Sequence, residues 1–150
     1  MNHIVTSYRL QLVKESSRRY ELDNIMNSPE NVQHIAEDVL QIHRNAEEVL
    51  CNLALDTKLK LIGTFEVSRG MIDRILTAPR EVFKRLMLLN SSKFIAIHNH
   101  PSQECTPSFA DMQFSRTLKE VGELLGIILV DFCISVDGDF YSFAKNGDLE

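Results

Sequence analysis

The most constraining stretch of this chain is the run from Lys93 to Ile97 leading directly into His98-Asn99-His100-Pro101. Residues 93–97 are short, apolar and bounded, the pattern of a buried strand. Successive strand side chains alternate faces, so His98 and His100, at i and i+2, share one side of the sheet. Two imidazoles are thus brought together without help from the rest of the fold. Pro101 has no N–H and cannot continue a central ladder, which places the pair at a strand end. A short loop follows, and Ser108-Phe109-Ala110-Asp111 opens a helix, with Asp111 one turn inside it. A loop returning over the strand end would aim the Asp111 carboxylate at the two histidines.

Two His and one carboxylate suit Zn²⁺. Three protein ligands leave a fourth tetrahedral position for water, as in catalytic zinc sites, where the metal acidifies that water and polarises a carbonyl. Ser108 to Asp111 is also a capping box, which by itself accounts for both residues. An HxH pair alone is a weak signal. The conjunction of the pair, the Pro stop and the helix start favours a metal site.

The rest of the chain reads as one α/β domain, residues 1–150. At 150 residues it is long enough for one proper core and too short for two. A core of that size needs no structural metal or disulfide. Residues 4–13 alternate, with Ile4, Tyr8, Leu10 and Leu12 on one face, which predicts a strand. Ser28-Pro29-Glu30 predicts a helix start, with Val32, Ile35, Ala36, Val39 and Leu40 as its apolar stripe and His34 and His43 at its surface or flank. Residues 49–55 and 59–67 read as strands around a turn at Asp56-Thr57-Lys58. Pro79 opens a second helix with Val82, Phe83, Leu86 and Met87 inward. Residues 108–125 form the third, with Phe114, Leu118, Val121 and Leu125 on one face and Gly126 as its stop. Residues 127–136 are the most apolar strand. Asp137-Gly138 turns it into a partner strand over residues 140–144. The sheet is mixed and partly antiparallel, and its exposed strands leave room for a homo-oligomer.

Charge and cysteines narrow the partners and the compartment. Lys and Arg total 16 against 21 Asp and Glu, for a net charge of −5. Non-specific nucleic-acid binding draws on Lys and Arg neutralising phosphates, so strong direct DNA binding is not expected. Three cysteines, an odd number without a CxxC pair, fit a reducing cytoplasm better than a secreted disulfide framework. The start of the chain has no signal-peptide apolar core, and no run is long enough to span a membrane.

The pattern HxHP, with seven residues between the second His and a Ser, then two residues and an Asp, resembles the JAMM motif of the JAB/MPN metalloprotease fold. The flanking segments LALDTK (53–58), IGTFEVSRG (62–70), PREVFK (79–84), HNHPS (98–102) and GELLGI (122–127) are similar to those of the bacterial RadC family, over about residues 30–148. The resemblance implies a JAB/MPN-like domain with a largely antiparallel mixed sheet, about three flanking helices and a cytidine-deaminase-like layout. It implies zinc ligation by His98, His100 and Asp111, oxyanion stabilisation by Ser108, and a Glu from an earlier strand as general base. Glu48, at the start of the first strand after the helix, is the favoured base, and Glu66 on the next strand is the competitor. The implied activity is amide hydrolysis of a protein or peptide, including isopeptides. A non-catalytic accessory module of DNA-processing or DNA-repair machinery is the alternative. A metal-dependent nuclease ranks last, because one His₂-Asp set provides one metal site where such enzymes often use two.

This chain departs from the family at several places. Gln103 stands where RadC-like chains usually carry Gly, Phe132 follows Asp131 where the family commonly has His, and Met71 follows Gly70 where Thr is usual. No helix-hairpin-helix domain is expected within these residues. Cys105 lies in the loop between the ligands. An incidental loop residue is favoured there over a fourth ligand or a redox switch.

Overall fold

The computed structural model describes residues 1–70 and 78–150. One five-stranded sheet organises them, in the order β2-β1-β3-β4-β5. β1 (Glu48–Leu55) pairs antiparallel with β2 (Leu61–Gly70) on one side and with β3 (Lys93–Asn99) on the other. β3 runs parallel to β4 (Ile128–Val136), and β4 turns back into β5 (Asp139–Ser142). Parallel neighbours need a long crossover, here helix α3 (Phe109–Leu125). The sheet is therefore mixed and largely antiparallel, as expected.

The central strands are buried on both faces, which explains why β1 and β4 read as nearly continuous apolar runs. One face packs Leu50, Phe94, Ala96, Phe132 and Ile134 against Val82, Phe83 and Leu86 of α2 (Pro79–Leu88) and Leu118 of α3. The other packs Leu53, Leu55, Ile95, Ile97 and Cys133 against Val32, Ile35 and Ala36. Those last three sit on α1 (Pro29–His34) and on a π-helical continuation, Ile35–Leu40, where the sequence predicts one uniform helix. Ser28 caps α1 through the Asn31 amide, as read.

Other expectations need correction. Residues 4–13 form no strand. They lie exposed, Tyr8 at 91% and Leu10 at 87%, because no sheet edge runs beside them to receive the ladder. Met87 and Leu125 are not inward but 47% and 42% exposed. β5 stops at Ser142, whose hydroxyl accepts from the Lys145 amide and starts a short helix, α4 (Phe143–Asn146). His34 is exposed beside Asp38, and His43 is half-buried. Met71, which stands where the family usually has Thr, lies outside the described residues.

Two details hold β4 in place. Asp131 on β4 is 4% exposed and accepts from the Ser142 hydroxyl, from the Ala144 amide at 2.9 Å and from the Phe132 amide at 2.8 Å, tying β4 to β5 and α4. α3 ends at Gly126 in the left-handed region, φ +72°, and a Cβ on Gly122 would meet the Ile127 carbonyl oxygen at 2.4 Å. Only glycine lets the helix close that tightly onto β4. No helix among the described residues is long and apolar enough to cross a membrane.

Candidate metal centre

β3 delivers His98 and His100 to the face covered by α3, with ring centroids 4.9 Å apart. His98 is fully buried and His100 is 16% exposed at its side chain. α3 supplies the carboxylate. Ser108 caps the helix, its Oγ accepting from the Asp111 amide at 3.1 Å, while the Ser108 amide donates to Asp111 Oδ2 at 2.7 Å. This reciprocal cap fixes the Asp111 rotamer and turns its carboxylate toward β3. The capping reading and the clustering reading of Asp111 are therefore both present in one geometry.

Three side chains meet there. His98 Nε2 lies 2.9 Å from Asp111 Oδ1, His100 Nε2 lies 3.1 Å from Asp111 Oδ2, and the two Nε2 atoms are 3.0 Å apart. Glu48 Oε1 approaches His98 Nε2 at 3.9 Å from the start of β1, its side chain 12% exposed. Glu48, His98, His100 and Asp111 together could hold a metal ion, one donor atom from each lying within 4.8 Å of the others. A tetrahedral zinc about 2.0–2.1 Å from each ligand would separate ligand atoms by roughly 3.3 Å, a few tenths more than the three short contacts.

The protons make the same case. His100 Nδ1 lies 2.7 Å from the Glu104 carbonyl, a pure acceptor, so Nδ1 carries the hydrogen. In a neutral ring, Nε2 then presents a lone pair to an Asp111 oxygen that also has only lone pairs. If both histidines instead donated from Nε2 to Asp111, their own 3.0 Å contact would set donor against donor. With Asp111 ionised, no arrangement of protons satisfies all three contacts with both rings neutral. A cation at the centre satisfies them together, because every lone pair then points at it.

Without a metal, the titrations follow from the same geometry. Burial pulls the His100 imidazole down, but the Asp111 hydrogen bond and the Glu104 carbonyl outweigh it and leave His100 above its ordinary value. Burial pushes the Asp111 carboxyl up, and the hydrogen bonds from His100 and His98 overcome that and hold it far below the usual carboxylate range.

The remaining sequence candidates separate by position. Glu66 lies away from the cluster, half exposed and paired with Arg69 at 2.6 Å. Cys105 is likewise outside it, its thiol 3.4 Å from the Ile134 carbonyl and pushed up by burial to about 11, which argues against a reactive thiolate. All three cysteines are free thiols. Gln103 adopts φ +65°, so the usual Gly has a conformational reason. Its side chain instead accepts from the Asp137 amide at 2.8 Å. Phe132 lies under the site, its ring centroid 5.1 Å from that of His98 and 5.0 Å from that of Phe143. The Glu104 carbonyl escapes a sequence reading, since a main-chain acceptor leaves no residue-type signal.

Comparison with known proteins agrees. Residues 26–148 match the model of the RadC-like JAB domain. A UPF0758 protein of Thermotoga maritima is 36% identical over 141 residues, covering 93% of this chain and 62% of its own length. One of Cupriavidus pinatubonensis is 35% identical over 147 residues, covering 95% and 64%. The chain thus spans less than two thirds of the length of these curated relatives. With its motif, its sheet and the residues gathered at the end of β3 all in agreement, this chain belongs to the RadC-like JAB domain family.

Proposed function

We propose that the chain is a zinc-dependent hydrolase of JAMM type acting on an amide bond, peptide or isopeptide, of a protein or peptide substrate. The observation that carries this reading is the triangle of His98, His100 and Asp111, whose facing lone pairs a cation would reconcile, with Glu48 beside it. Zinc held there by His98, His100 and Asp111 would supply a Lewis acid for the carbonyl and an acidified water. Glu48, close but not one of the three tight contacts, would accept the proton and pass it to the leaving nitrogen. Ser108 Oγ uses a lone pair for the Asp111 amide, which leaves its O–H to donate to the oxyanion as charge develops. Free thiols and the net charge of −5 support a cytoplasmic protein without strong direct DNA contact.

Glu48→Gln tests the assignment. Zinc content should stay near that of the wild type, while hydrolysis of an accepted amide falls by roughly two to four orders of magnitude. Glu66→Gln should cost little. Reversal of the two results would move the base to Glu66. A second reading, a metal-holding accessory module of DNA-processing machinery, draws on Phe132 replacing the histidine common in the family. Unchanged hydrolysis in both variants, or no wild-type hydrolysis across a broad peptide panel with and without chelator, would favour it.

A further inference from the structure

Asn99 separates the two histidines, and its side chain does not join them. It is 1% exposed, and its amide is committed to the backbone that enters β1. Oδ1 accepts from the Val49 amide at 2.7 Å, and Nδ2 donates to the Glu47 carbonyl at 2.9 Å and to the Asn45 carbonyl at 3.2 Å. Only this orientation of the amide satisfies all three partners. Two of them, the Glu47 carbonyl and the Val49 amide, stand immediately before and after Glu48. The paired register between β1 and β3 ends at Leu50 opposite His98. Beyond that point the Asn99 side chain takes over from the ladder and grips the diverging strand.

We infer that Asn99 is a positioning residue for the proposed reaction. It fixes the Glu48 main chain, and so the carboxylate, relative to the histidines on either side of it. The inference rests on the reading of Glu48 as the base. One three-residue segment, His98-Asn99-His100, then sets both the nitrogen ligands and the distance to the proton acceptor. A hydrophobic residue of similar size at 99 would leave the histidines in their strand while releasing the peptide that carries Glu48.

The test uses Co²⁺ added to the whole chain and the pH midpoint of its visible spectrum, which reports proton loss at the cobalt site without a substrate. Glu48→Gln should retain one Co²⁺ and shift the midpoint by roughly one pH unit, as expected for a charge within a few ångströms. Asn99→Leu should also retain the metal and shift it in the same direction, and the double variant should go no further than Glu48→Gln alone. Asn52→Leu is the control, a buried amide on β1 that donates to the Val82 carbonyl at 3.3 Å and does not flank Glu48. It should leave the midpoint in place. A wild-type midpoint in Asn99→Leu, additive shifts in the double variant, or an equal shift in Asn52→Leu would each overturn the positioning role while leaving Glu48 as base. An unmoved midpoint in Glu48→Gln would remove the base assignment itself, and the inference with it. Should Asn99→Leu fail to fold, amide hydrogen exchange of the wild type decides. The Val49 amide should be protected like those of residues 50–55, and exchange at the rate of an open chain end would overturn the proposal.

Discussion

Asp111 has two jobs in the structure, capping α3 and facing the histidines, and the variants Asp111→Asn and Ser108→Ala pull them apart. An Asn oxygen can still accept from the Ser108 amide, now at 2.7 Å from Oδ2, so the cap persists. Losing the anionic ligand should weaken metal binding by more than about 100-fold, beyond the 10–100-fold typical of losing an outer partner. Metal at a thousand times its Kd stabilises a folded chain by about 4.1 kcal/mol, worth about 8–16 °C in a domain of this size. At the same concentration, a 100-fold weaker site gives about 1.4 kcal/mol, or about 3–6 °C. Ser108→Ala removes the hydroxyl that accepts from the Asp111 amide and should cost about 1 kcal/mol, or 2–4 °C, in the metal-free chain. It should keep most of the metal-induced rise. The assay is thermal unfolding of each variant with and without zinc, paired with a competition titration. If Asp111→Asn binds zinc within about threefold of the wild type, Asp111 is a cap and the metal assignment to it fails.

Three further outcomes follow from the site's electrostatics and from β4. Zinc would need the His100 Nε2 lone pair, and against the pull of burial the hydrogen bonds to Asp111 and the Glu104 carbonyl hold His100 above the ordinary imidazole range, so affinity should fall with acidification as His100 takes up its proton. The metal-free chain should show the opposite trend. A raised histidine stabilises fully below about pH 6.5, and that contribution is lost as pH climbs through its folded value, which thermal unfolding from pH 6 to 8 will read. Asp131→Ala strands the Ser142 hydroxyl in a buried setting, at about 1–3 kcal/mol, and also leaves the part-buried Ala144 amide without its acceptor. A total loss of about 2–5 kcal/mol should appear in denaturant unfolding.

What could be read from the sequence was what is local. His98, His100, Ser108 and Asp111 fall within one short stretch, and strand alternation plus a helix cap brings them together without reference to the rest of the chain. Glu48 lies fifty residues before His98 on another strand, and only a family resemblance picked it out. Residues 4–13 show the limit of alternation. A period of two marks a chain suited to an edge, but a strand exists only where a neighbour supplies the ladder. The π-helical turn at Ile35–Leu40 was equally hidden, because Val32, Ile35, Ala36 and Val39 suit either winding and the difference lies in which carbonyl each amide reaches. β5 gives way to α4 because Asp131, eleven residues earlier than Ser142, anchors the turn, a long-range bond with no local trace.

The central claim is that His98, His100 and Asp111 form one metal site that serves chemistry and not folding. Zinc content of the purified chain, measured beside His98→Ala, His100→Ala and Asp111→Ala, tests it most directly. The expected result is about one zinc per wild-type chain and little in any variant, with the far-ultraviolet circular dichroism unchanged by chelator, as a core of this size allows. Equal zinc in all four proteins would contradict the site, and unfolding of the wild type on chelation would make the metal structural.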